Sequence, residues 1–76
     1  MKFKVHFADI AELQRFVAEV NTLDCDVNLF DNHKCFDAKS VVALVNLDLT
    51  KEFVVDVISD SKQILEAADK IISEYT

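Results

Sequence analysis

Glycine and proline are both absent from the 76 residues of this chain. Without glycine there is no G-x-G-x-x-G segment and no P-loop to cradle a phosphate. Every turn has to be built from Asn, Asp, Ser or Lys, which enter left-handed conformations at some cost. Positive charge is also scarce: 8 Lys and Arg stand against 14 Asp and Glu, a formal net charge of −6. A surface of that sign repels phosphate backbones, so nucleic acid is not an expected partner. No apolar run approaches the roughly 18 residues of a membrane span, so no membrane insertion is expected. Met1-Lys2-Phe3-Lys4 lacks the long apolar core of a signal peptide, which makes the cytoplasm the expected location. In that compartment the two cysteines would be reduced thiols.

Apolar residues make up 51% of the chain, enough for a packed core. The length suits one domain, which buries only about 60% of its unfolded surface. The periodicities predict the element order β-α-β-β-α-β-α. Phe3, Val5 and Phe7 alternate with Lys2, Lys4 and His6, the pattern of a strand with one buried face. Asp9 can cap a first helix, with Glu12 completing a capping-box-like pair. Ile10, Leu13, Phe16, Val17 and Val20 recur along one side of that helix. Cys25, Val27 and Leu29 alternate with Asp26, Asn28 and Phe30 in a second strand. A tight turn at Asp31-Asn32-His33-Lys34 leads to a third strand with Phe36 and Ala38. Ser40 opens a short helix, Val41 to Leu47. A fourth strand carries Phe53, Val55 and Val57 on one face and Val54, Asp56 and Ile58 on the other. Asp60 or Ser61 caps a last helix, with a stripe of Ile64, Leu65, Ala68, Ile71, Ile72 and Tyr75. Interspersed strands and helices with one antiparallel hairpin point to an α+β layer structure, helices on one face of an antiparallel sheet.

Asp24 to Leu49, DCDVNLFDNHKCFDAKSVVALVNLDL, resembles the middle of HPr, the small phosphocarrier of the bacterial sugar phosphotransferase system. Asn32-His33 stands where that family usually has Asn-Gly. The resemblance implies that residues 1–76 form one HPr-like domain. Its fold would be the open-faced β-sandwich: a four-stranded antiparallel sheet of order 1-4-2-3 with three helices on one face. The family carries its phosphoryl group on a histidine in a Gly-Ile-His-Ala-Arg-Pro segment before the first helix. The corresponding stretch here reads His6-Phe7-Ala8-Asp9-Ile10-Ala11-Glu12. It has no glycine, proline or arginine, and no histidine at the helix start, so phosphohistidine transfer is not expected.

Lys39 to Leu47 is similar to the family segment that holds a regulatory serine, and the matching position is Ser40. In Gram-positive members a serine kinase phosphorylates that residue and the product binds a transcriptional regulator. Some paralogues involved in catabolite repression lack the histidine and keep the serine. A phosphate on a helix N-cap sits at the positive end of the helix dipole. An unmodified Ser40 would serve simply as an N-cap. Apolar residues of the same short helix dock onto phosphotransferase components, the kinase and the regulator. By position these are Val41, Val42, Val45 and Leu47, some of which an ordinary core would also claim.

His6 has two readings: a displaced phosphoacceptor close to the first helix, or a solvent-facing strand residue in line with Lys2 and Lys4. His33 reads as a polar turn residue. The two histidines, two cysteines and many carboxylates lack metal-ligand spacing, and no cofactor motif is present. Alternation points Cys25 into the core and Cys35 to the opposite face, which excludes a disulfide between them. With no nucleophile–base pair and little room for a deep pocket, the chain is not expected to be an enzyme. Three classes remain: a regulatory or adaptor protein, a carrier using His6, or a small interaction domain with neither activity. The uncovered sheet face should carry Phe30, Cys35, Val54 and Ile58 as one apolar patch with a polar rim, which could support a homodimer.

Overall fold

A computed structural model describes residues 1–32, 34–40, 44 and 47–76. The chain is an α+β domain. Its four strands are β1 (Lys2–Val5), β2 (Asp26–Asp31), β3 (Lys34–Asp37) and β4 (Phe53–Ile58). They form one antiparallel sheet in the order β1-β4-β2-β3. Helices α1 (Ile10–Val20) and α2 (Lys62–Ile72) follow β1 and β4, and a 3-10 turn, Ser73–Tyr75, extends α2. The short helix expected over Val41 to Leu47 lies outside the described residues, save Leu44 and Leu47.

The register decides which side chains the helices cover. Phe3 pairs with Val55 and Val5 with Phe53 across β1 and β4. Val27 pairs with Val57 and Leu29 with Val55 across β2 and β4, and Leu29 meets Phe36 on β3. These residues share one face, because paired positions point the same way. They meet Leu13, Phe16, Val17 and Val20 of α1 and Ala68 and Ile72 of α2 in a single core. Lys4 and Asp56 stay on the opposite face, as the alternation requires. The expected α1 stripe needs one correction: Ile10 is 47% exposed. It is the first helical residue, one position after the cap and ahead of the first buried turn.

Aromatic rings fill the middle of the core. Phe7 contacts Phe16 (centroids 5.1 Å apart), Phe53 (6.0 Å) and Tyr75 (5.7 Å), and Tyr75 meets Phe16 edge-on at 5.1 Å. Such tilted pairs add roughly 0.5–1.5 kcal/mol each beyond area burial.

Polar side chains close the corners that glycine closes elsewhere. Asp9 adopts an extended N-cap conformation and accepts the Glu12 amide at 2.8 Å. At the far end of α1, Asn21 Nδ2 donates to the Val17 carbonyl (2.7 Å) and Thr22 Oγ1 to the Glu19 carbonyl (2.6 Å). The same carbonyls also accept the Asn21 and Thr22 amides, each at 3.1 Å, so the side chains add second bonds at a helix end that has no left-handed glycine cap. Of the two capping candidates for α2, Ser61 takes the role and accepts the Ile64 amide at 3.4 Å. Asp48 closes a turn by accepting both the amide and the hydroxyl of Thr50, which holds its carboxyl below the usual range. The hairpin pairs Asp31 with Lys34 and places Asn32 at φ 53. Asparagine tolerates that left-handed region better than most residues.

Tyr75 locks the C-terminal turn down. Its carbonyl accepts the His6 amide at 2.9 Å. Its hydroxyl donates to Glu19 Oε1 and accepts from Arg15 Nε at 3.1 Å, with the guanidinium 5.3 Å from the ring centre. Burial of the ring, then the bond to Glu19, raises the phenol pKa above its ordinary 10.0. A raised pKa in the folded state means stability that is fully present below the unfolded-state value and lost as pH climbs through the folded one. Chemical denaturation should therefore show stability falling above about pH 10. Tyr75→Phe should cost about 1–2 kcal/mol at neutral pH and flatten that alkaline decline. An alkaline limb unchanged in Tyr75→Phe would rule out Tyr75 as its source.

Candidate functional site

The N-terminus of α1 is where a phosphocarrier would hold its acceptor. Here Asp9 occupies the cap, and one of its oxygens already takes the Glu12 amide. A negative charge thus sits at the positive helix end, where an incoming phosphoryl group would meet like charge. His6 is exposed just past β1, and its amide is engaged by the Tyr75 carbonyl.

Ser40 is half-buried and follows β3 on a braced segment. Its amide donates to the Asp37 carbonyl at 3.1 Å, and the Lys39 amide donates to Asp37 Oδ1 at 2.9 Å. Lys39 is tied twice to the loop after α1: its Nζ donates to the Leu23 carbonyl (2.6 Å), and its own carbonyl accepts from Asn21 Nδ2 (3.1 Å). The sequence reading passed over Lys39 and Asn21, because long-range side chain–backbone bonds leave no periodic signal. Leu44 is fully buried. Leu47 is half-buried and packs against the core, so only part of it is left for a docking patch. Val41, Val42 and Val45 lie outside the described residues, as does His33.

A cleft of about 530 Å³ opens between the start of β2 and the N-terminus of α2. Asp24, Asp26 and Asp60 give it an acidic lining, and Lys39, the one cation among its lining residues, is committed to Leu23. Among the described residues no group of three His, Cys, Asp or Glu side chains could hold a metal ion. No helix of the described residues is long and apolar enough to cross a membrane.

The uncovered sheet face is organised in rows. One runs Lys4–Val54–Phe30–Cys35 across β1, β4, β2 and β3; the next runs Lys2–Asp56–Asn28–Asp37. Ile58 pairs with Asp26 one row further on. The expected single patch is thus divided. Phe30, Val54 and Cys35 are contiguous, while the polar Asp56–Asn28 pair separates Ile58 from them. Asp56 also pairs with the N-terminal ammonium at 3.4 Å.

No protein-family model matches the chain, and no curated protein matches it. Among solved structures it is similar to selenomethionyl Crh, the catabolite repression protein of Bacillus subtilis. The match has 26% identity and a TM-score of 0.57, covering 97% of this chain and 88% of that one. The Crh structure is described as revealing a swapping domain in an intertwined dimer. An α+β domain with helices over one face of a four-stranded antiparallel sheet is the architecture the phosphocarrier resemblance implied. Together with the Crh match over nearly the whole chain, it makes this chain similar in fold to the HPr-like proteins.

Both cysteines are free, Cys25 half-buried beside the core and Cys35 exposed on the open face. A thiol reagent added to the native protein should modify Cys35 at least tenfold faster than Cys25, with rates equalising in denaturant. Mass spectrometry of the two labelled peptides would read this. Equal native rates would place Cys25 outside the core.

Proposed function

We propose that this chain is a regulatory or adaptor protein of the phosphotransferase type, not itself an enzyme, acting in the cytoplasm by docking onto other proteins. Phosphorylation at Ser40 switches that docking, and phosphohistidine transfer plays no part. The observation that carries the reading is the cap of α1: a carboxylate stands at the helix end that would have to receive a phosphoryl group, and its oxygen fills the helical donor at Glu12.

Ser40 is supported by its partial exposure and by the bracing of Asp37 and Lys39, which presents the residue on a fixed platform. A short helix from Val41 to Leu47, carrying Val41, Val42, Val45 and the exposed part of Leu47, would be the docking element beside it. The partners suited to such a surface are phosphotransferase components, a serine kinase and a transcriptional regulator. Self-association is a further form of partnership, given the intertwined dimer described for Crh.

Incubation with enzyme I and phosphoenolpyruvate should leave no acid-labile phosphohistidine. Incubation with a family serine kinase and ATP should yield one acid-stable phosphate, absent in Ser40→Ala. Stoichiometric acid-labile label that vanishes in His6→Ala would overturn the proposal in favour of a carrier with a displaced acceptor. Label at neither residue would leave an interaction domain that keeps the fold alone.

A further inference from the structure

The open face of the sheet has a charge and shape pattern that complements itself. Its central row is Lys4–Val54–Phe30–Cys35 and its neighbouring row Lys2–Asp56–Asn28–Asp37. Cations lie on the β1 edge and a carboxylate, Asp37, on the β3 edge, with apolar Val54 and Phe30 in the middle. Phe30 and Val54 remain only half-buried, since no helix covers this side. We infer that this face docks a second copy of the chain, face to face, about a two-fold axis parallel to the strands and midway between β4 and β2.

That axis exchanges the two sides of the sheet and keeps each row at its own height. Val54 then meets Phe30 of the second copy, and Lys2 meets its Asp37. Lys4 lies over Cys35, and Asp56 lies over Asn28, whose amide can donate to the carboxylate. Every pairing occurs twice, as an isologous interface requires. An axis perpendicular to the strands does the opposite. It brings Lys2 over Lys4 and sets Val54 against Asp56 and Phe30 against Asn28. The charge pattern therefore selects one docking geometry as well as permitting it. Ile58 and Asp26 fall near a corner, where two twisted sheets packed at about −30° diverge.

The area bounds the affinity. β2 and β4 have six residues and β1 and β3 four; at about 3.4 Å per residue and roughly 4.8 Å between strands they present on the order of 330 Å² per copy. About 650 Å² in total is below the size of stable interfaces, so the association is weak and rapidly exchanging. This inference does not rest on the Ser40 reading: it shares Asp37 with the brace of Ser40 but uses the charge of that residue at the sheet edge and not the serine.

Sedimentation equilibrium over a dilution series from millimolar to low micromolar protein tests it. The wild type should form a dimer that dissociates on dilution, weakened at least tenfold by Phe30→Ser with Val54→Ser. Lys2→Asp and Asp37→Lys should each weaken it roughly three- to tenfold, and the two combined should restore wild-type affinity within about twofold. The single reversals shift net charge by two in opposite directions, and the double variant returns it to −6. General repulsion would therefore strengthen the Asp37→Lys dimer, whereas the proposed pairing weakens it. Asp37→Asn removes the charge and keeps the oxygen that accepts the Lys39 amide. It should weaken the dimer too, which guards against a purely structural effect of the reversal. Amide chemical-shift dispersion would confirm that each variant is folded. A monomer at millimolar concentration overturns the inference. So does a tighter Asp37→Lys dimer, or one indifferent to the Phe30 and Val54 substitutions.

Discussion

Four rings, those of Phe7, Phe16, Phe53 and Tyr75, join the segment after β1, helix α1, strand β4 and the C-terminal turn at one point in the core. Everything else is arranged around that junction. It binds the helical layer to one face of the sheet and leaves the other face uncovered. It also brings Tyr75 beneath α1, where its hydroxyl joins Arg15 to Glu19. A domain this small buries a modest fraction of its surface, so concentrating large rings between four elements gives much of its cohesion from few residues.

The missing glycine and proline set a second constraint, and it reaches the candidate site. Corners made without them depend on side chains bonding to the backbone, as Asp9, Asn21, Thr22, Asp37, Asp48 and Ser61 do. Three of those residues have a role beyond closing a turn. Asp9 caps α1 where a phosphocarrier would need a vacant, positive helix end. Asp37 and Asn21 fix Lys39, the residue before Ser40. The same polar chemistry that replaces glycine thus puts a carboxylate at the start of α1 and braces the segment leading to Ser40.

The Crh similarity and the sheet topology agree on an HPr-like architecture, while the chemistry is narrower than the fold. A phosphocarrier architecture can host docking and regulation once its acceptor is gone, because function lies in the site and not in the scaffold. Here the sheet and helices persist and the acceptor histidine does not.

Much of this was legible in the residues. Alternation in β1, β2 and β4 and the 3.6-residue stripes of both helices depend only on local geometry, so the covered face was readable from Phe3, Val5, Val27, Leu29, Phe53, Val55 and Val57. The opposed directions of Cys25 and Cys35 followed from the same parity and the hairpin register. The absence of a histidine at the α1 cap needed no coordinates. Folding in three dimensions decided the rest. Ile10 belongs to the helical stripe by spacing, yet it precedes the first turn that reaches the sheet. Ile58 and Phe30 lie on one face by parity, but the stagger of β4 against β2 places Asp56 and Asn28 between them. The ties of Lys39 to Leu23 and of Tyr75 to Arg15 and Glu19 join residues distant in sequence. Periodicity carries no information about such pairs, because their partners are chosen by how the layers stack.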